Sequence, residues 1–353
     1  MQKEFVFPKR IGSIQCLRFF ASMAVAFSHF YIVSETLNTA FNVTFFLRLF
    51  FTISGFIVML STMKEEKKQG FFVRRLIRLV PLYWLLTIMV FLVAQFIPEL
   101  IGYKPDAEQF LKSMLFIPFS RLTLKTGVTL RPIVGLGHTL QMEIFFSLIF
   151  YISMRISHKN RALISSMVLF GLALIGMFVP FDNDFCIFYL NKNYLALFSF
   201  GGGILIFCFL NYMQKLKVSA MKLVISGGLG AVVSLLLTHL SYEFTKSALL
   251  VCFIGFLSFA ALIVCATAYS VKGLPEPRFI QKLGDASFSF YLIHYFIVSI
   301  AERCLNIDCF SGRNIILMLI IIVLAWGVSY ISYCIVERKF GGWLIKQLNK
   351  HIK

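Results

Sequence analysis

Apolar runs of about twenty residues recur from one end of the chain to the other, near 12–34, 42–62, 77–98, 136–154, 162–180, 190–211, 220–239, 247–269, 285–302 and 314–336. A run of that length matches the hydrocarbon core of a bilayer, where the backbone polar groups must be satisfied within the segment, so each reads as a helix. The predicted fold is therefore all-α, a polytopic membrane protein of about ten transmembrane helices. Composition agrees, because 59% of the residues are hydrophobic and only 14% charged, outside the range of soluble domains.

The formal net charge is +18. Such a balance invites a nucleic-acid reading, but the basic residues sit in short loops between apolar runs and no basic helix stands apart from them. They are a topology signal, and no nucleic-acid partner is expected. Lys3, Lys9 and Arg10 precede the first run, Lys64, Lys67, Lys68, Arg74 and Arg75 fill the second connection, and Arg155, Lys159 and Arg161 fill the fourth. Lys215, Lys217 and Lys222, then Lys272, Arg278 and Lys282, then Arg338, Lys339, Lys346, Lys350 and Lys353 fall on the same side if every run spans once. That side is cytoplasmic by the positive-inside rule, with both termini there and residues from about 340 to 353 forming a cytoplasmic tail.

The long connection Ile97 to Gly135 is basic yet falls on the outer side, where its length allows translocation, and its Phe110 to Phe119 segment is expected to lie along the interface as an amphipathic helix. No repeat or linker divides the chain, so residues 1–353 read as a single membrane-embedded domain. The run after Arg10 is too long for a signal-peptide core and is expected to remain as the first helix. Most cysteines read as small buried hydrophobes; Cys304 and Cys309 share one polar loop, where a local disulfide is one option if it faces an oxidising compartment and two free thiols the other. No Cys/His spacing resembles a metal site, and none is expected.

Ionisable groups inside a membrane are costly, which makes them functional candidates by default. The first run carries Arg18 and His29, eleven residues apart, so one continuous helix would hold both on nearly one face about 16 Å apart along its axis. Topology then places His29 in the outer half and Glu143, early in the fourth run, at a similar depth. A carboxylate beside an imidazole raises its basicity and fixes its tautomer, the usual reason for such a pair; the ordinary alternative is a helix-packing hydrogen bond for each. On the cytoplasmic side Arg74, Arg75 and Arg78 lead into the third run, with Arg75 and Arg78 on one helical face, a grip suited to phosphate oxygens or equally a topology and headgroup signal. Arg48, Ser54, Gly55, Tyr83, His138, Ser289 and His294 are candidates for a site wall, with close helix packing as the alternative for the small and hydroxyl residues.

Taken in order, these stretches resemble the acyltransferase-3 family of integral-membrane O-acyltransferases, which acetylate O-antigens, exopolysaccharides and related glycans. The resemblance rests on Leu17-Arg18 with ten residues before His29, Phe50 to Phe56, Arg74-Arg75-x-x-Arg78 through Pro81-Leu82-Tyr83-Trp84, Gly137 to Glu143, Leu283-Gly284-Asp285-Ala286-Ser287 through His294, and Glu337-Arg338. It implies an acyl donor, acetyl-coenzyme A, held from the cytosol by Arg18, Arg74, Arg75 and Arg78, and a membrane-linked or exported glycan acceptor at a bacterial inner membrane. Departures occur at His138 and Ser147, where the family usually has Trp and Tyr, and at Lys339, where it has Pro. The soluble extension of some relatives is not seen, so the membrane domain is expected to act alone or with a separate partner.

The mechanism expected from this reading makes His29 the general base on a sugar hydroxyl, with Glu143 orienting the imidazole; a transient acyl-histidine is the variant. The rival class is a secondary transporter or flippase that uses Arg18, His29 and Glu143 as a proton relay along a substrate path.

Overall fold

The computed structural model describes residues 7–8, 10–30, 43–63, 70–98, 103–123, 127–245, 248–305 and 312–351. Among them the long helices are α1 (Gly12–Phe27), α2 (Val43–Ser61), α3 (Phe71–Phe96), a short α4 (Ala107–Met114), α5 (Gly137–Ile156), α6 (Arg161–Phe178), α7 (Tyr194–Lys215), α8 (Ala220–Thr245), α9 (Ala248–Lys272), α10 (Arg278–Asp285), α11 (Ser287–Leu305), α12 (Gly312–Ser332) and α13 (Gly341–His351). π-Helical turns occupy Ile187–Lys192 and Tyr333–Phe340. Eight helices among the described residues are long and apolar enough to cross a membrane, and α10 with α11, bent by 70°, makes a ninth if the pair counts as one span. The fold is thus all-α and membrane-embedded. The tenth expected run is shorter than predicted: α1 has only 16 residues, or about 24 Å of helix, less than the hydrocarbon thickness.

The long helices keep large apolar side chains on their surfaces. On α3 alone Trp84, Leu85, Ile88, Met89, Leu92 and Val93 are exposed, a patch that only lipid or another apolar partner would cover. Contacts group the chain into two compact units, one made of Met1–Leu60 and Ser199–Tyr333, the other of Ser61–Phe198 and Cys334–Lys353.

In the first unit α1 lies against α10 and α11. Ile11 offers α1 no side-chain cap, and the Glu276 carboxylate, from the segment before α10, accepts from the Ser13 amide at 2.9 Å instead, where the helix dipole also favours a negative charge. Gly284, in the last turn of α10, faces the Gln15 carbonyl so closely that a side chain there would collide with backbone. α2 and α7 cross by the same device twice, Gly55 against the Phe200 carbonyl and Gly203 against the Thr52 carbonyl. A core of Ala26, Phe30, Ala286, Phe290, Val298, Ile322 and Trp326 fills the space between α1, α11 and α12.

In the second unit α3 is the spine. Its first half packs antiparallel against α5: Phe71 meets Phe150, Phe72 stacks on Tyr151, Arg75 reaches Ser147, and Tyr83 lies against Gly137. One face of its second half is met by the connection to α5. Gln95 donates to the Pro105 carbonyl, Phe91 packs on Phe110 at 4.5 Å, and Trp84 and Tyr83 donate to the carbonyls of Met114 and Ser113. α4, fixed at its start by an Asp106–Gln109 capping box, therefore runs back along α3 rather than lying as a free interfacial helix, and it spans 107–114 rather than 110–119.

The connection also holds a two-stranded antiparallel pair, β1 (Ser120–Thr123) with β2 (Gly127–Leu130), which hydrophobic periodicity over four residues a side could not reveal. Pro81 inside α3 cannot donate to the Ile77 carbonyl, and Gly341, opening α13, lies over that carbonyl.

Candidate active site

Two clusters gather the residues singled out by the sequence. In the first unit, α1 stops at Phe27, and the backbone tightens into i to i+3 bonds, His29 N–H to Ala26 and Phe30 N–H to Phe27. His29 consequently sits on a turn beyond the helix rather than on the same helical face as Arg18. Arg18 stays inside α1, buried, and donates to the Gln15 side chain at 3.0 Å. The turn brings the His29 ring to 5.3 Å from that of His294 and 5.1 Å from that of Tyr295, both on α11.

His294 is fully buried, with Nδ1 at 2.8 Å from the Phe290 carbonyl. A carbonyl oxygen only accepts, so Nδ1 carries the proton and, in the neutral ring, Nε2 carries the lone pair. That Nε2 meets no hydrogen-bond partner among the described residues. Beneath it the ring stacks on Phe290, which lies flat on Trp326 at 4.0 Å, and the Trp326 indole N–H points to the Met23 sulfur. Ser289, on the same helix, is buried. Ser54 and Gly55 are buried in α2, and Arg48 donates to the Thr44 carbonyl and the Cys252 sulfur.

In the second unit Arg75 is buried between α3 and α5. Its Nη2 pairs with the Glu143 carboxylate at 2.9 Å and its Nε donates to Ser147 at 3.2 Å, while the Ser147 hydroxyl itself donates to the Glu143 carbonyl. Arg75 lies one turn into α3, so Glu143, under two turns into α5, sits level with the beginning of α3. The cause is the connection that folds back along α3, which lets α5 start only at the level of Tyr83, midway along. Within the second unit the Glu143 carboxylate is thus engaged by Arg75, and His29 belongs to the first unit.

Arg74 and Arg78 are half-buried, and Arg78 forms no hydrogen bond with the described residues, unlike Arg75. Tyr83 is fully buried and donates to Ser113, and the His138 Nδ1 donates to the Gly135 carbonyl at 2.8 Å. Nearby, the Arg121 guanidinium lies 4.5 Å over the Tyr103 ring and donates to the Tyr103 hydroxyl. Burial pushes that hydroxyl up from its ordinary pKa, and Arg121 draws it partly back.

Gln141 was not singled out by sequence, yet it is fully buried in α5. The available signal was a carboxamide inside an apolar run. No cluster of three or more His, Cys, Asp or Glu able to hold a metal occurs among the described residues. The Cys304–Cys309 expectation lies outside them, since residue 309 is not described.

The family model described as an acyltransferase domain matches residues 11–334, nearly the whole chain. The chain therefore belongs to the acyltransferase-3 family, and it is a membrane-embedded acyltransferase. It is similar to the exopolysaccharide production protein ExoZ of Rhizobium meliloti (strain 1021), 29% identical over 260 residues that cover 72% of this chain and 76% of that protein. No solved structure matches it.

Proposed function

We propose that the chain transfers an acetyl group from cytosolic acetyl-coenzyme A to a hydroxyl of an exported or membrane-linked glycan, an exopolysaccharide in the first instance. The name of the Rhizobium relative supports that acceptor over an O-antigen. The family match runs through residues of both units, which supports reading residues 1–353 as one catalytic domain; the basic loops support both termini being cytoplasmic.

The observation that carries the reading is the imidazole pair. His29, on its turn, adjoins a second histidine whose proton is held on Nδ1 by a backbone carbonyl, so two imidazoles are brought together at one place. His29 acts as general base, taking the proton of the acceptor hydroxyl while the oxygen attacks the thioester carbonyl. The intermediate then collapses with cleavage of the carbon–sulfur bond, and the departing coenzyme A thiolate takes up the proton. His294 positions the His29 ring.

Arg78 and Arg74 hold the donor phosphates, and Arg75, already committed to Glu143, fixes the arginine run rather than taking an equal share. Glu143 thus serves the donor grip. Arg18 serves as a charge partner along the donor path.

Isotope-labelled acetyl-coenzyme A supplied to purified membranes with isolated exopolysaccharide tests the reading. Label should enter the glycan with the wild-type chain and fall by roughly 10²–10⁴ with His29→Ala, the usual worth of a general base. Full transfer by a His29→Ala protein that inserts normally would remove His29 from the mechanism.

A further inference from the structure

Gln141 lies five residues into α5, is fully buried, and has neither its amide nitrogen nor its amide oxygen hydrogen-bonded to any described residue. A carboxamide offers two donor hydrogens and two acceptor lone pairs, and burying it with none used is among the more expensive things a helix can do, most of all where no bulk water is at hand. Leu or Met at this position would fill similar volume without that cost. α5 has no local need for the amide, because its backbone ladder is intact and the neighbouring Thr139 and Ser147 satisfy themselves on backbone carbonyls one turn back.

The position in the second unit is informative. The α3–α5 register, Phe72 with Tyr151, Arg75 with Ser147 and Tyr83 with Gly137, puts Gln141 level with the turn of α3 between Arg78 and Leu82, about half a turn beyond the half-buried Arg78. Gly137, one turn before it, meets the Tyr83 ring, and Phe145, one turn after it, packs on Tyr189 at 4.4 Å. Aromatic packing thus flanks the amide by one turn on either side along α5.

We infer that Gln141 is a substrate-binding residue, its amide pairing with a group that both donates and accepts hydrogen bonds. Resting on the donor placement proposed above, the first source of such a group is a secondary amide of the pantetheine arm of acetyl-coenzyme A, whose phosphates lie toward Arg78. The second source of the same chemistry is a hydroxyl or acetamido group of the glycan.

The test uses the full-length protein in nanodiscs and compares wild type, Gln141→Leu and Gln141→Asn by thermal unfolding and by the KM values for acetyl-coenzyme A and for isolated exopolysaccharide. Gln141→Leu should unfold at the same temperature as wild type or higher, since it removes an unmet buried amide, while one KM rises by about tenfold, the worth of one lost hydrogen bond. A rise in the acetyl-coenzyme A KM assigns the group to the pantetheine arm, and a rise in the glycan KM assigns it to the acceptor. Gln141→Asn should recover part of that loss.

A Gln141→Leu protein with lower unfolding temperature and unchanged KM values would overturn the inference and make Gln141 structural, and unchanged values throughout would overturn it equally. If the wild-type chain itself transfers no label, the proposed donor and acceptor fail instead; the unfolding comparison and the binding of acetyl-coenzyme A alone still decide whether Gln141 takes a ligand.

Discussion

Arg75 and Glu143 show how much of a site depends on a single long-range contact. Both were visible in the sequence as ionisable groups in or beside apolar runs, and Arg75 was legible as part of a basic grip. Their partnership was not, because it joins positions 68 residues apart and depends on where α5 begins. A buried guanidinium that loses its carboxylate is left with an uncompensated charge, so Glu143→Gln should destabilise the protein by about 3–5 kcal/mol. The Arg75→Met and Glu143→Gln double variant should recover much of this, giving a non-additive cycle in thermal unfolding. Simple additivity would mean that the pair does not hold α3 to α5. Arg78, which makes no such bond within the described residues, should behave differently. Arg78→Ala should leave the unfolding temperature unchanged and raise the KM for acetyl-coenzyme A by roughly 10–100-fold, as expected for a charge-assisted hydrogen bond to phosphate. A loss of stability with unchanged KM would place Arg78 in the scaffold.

At the scale of the element, length and periodicity located the spans well, since a helix in lipid announces itself by an apolar run and little else can satisfy its backbone there. What they missed were breaks set by tertiary contacts. α1 ends at Phe27 because the chain tightens into a turn there, and this turn is what carries His29 toward α11. The fold-back of 97–135 was equally hidden, as its anchors are single hydrogen bonds from Tyr83 and Trp84 to carbonyls about 30 residues away. Tyr83→Phe leaves the Ser113 carbonyl without that donor in a buried place, a cost of about 1–3 kcal/mol. The α2–α7 crossing should be less tolerant still. A methyl at Gly55 meets backbone rather than a flexible side chain, so Gly55→Ala should lower the unfolding temperature and Gly55→Leu should prevent stable insertion. Normal stability of Gly55→Leu would show that the two helices do not approach so closely.

For the whole molecule, apolar runs and loop charge defined a polytopic membrane protein, and ordered motifs along the chain were enough to expect an acyltransferase before any coordinates. The family match over residues 11–334 establishes that class. The division of the candidate residues between two units was not legible, because an apolar run states that a helix crosses the membrane and not which helices it packs beside. The central claim is that the chain acetylates a surface glycan through His29. Its most direct test is mass spectrometry of exopolysaccharide from cells that lack the gene and from the same cells carrying the wild-type or the His29→Ala chain. The account predicts glycan repeat units lighter by one acetyl group in the first and third and restored in the second; identical acetyl content in all three would contradict it.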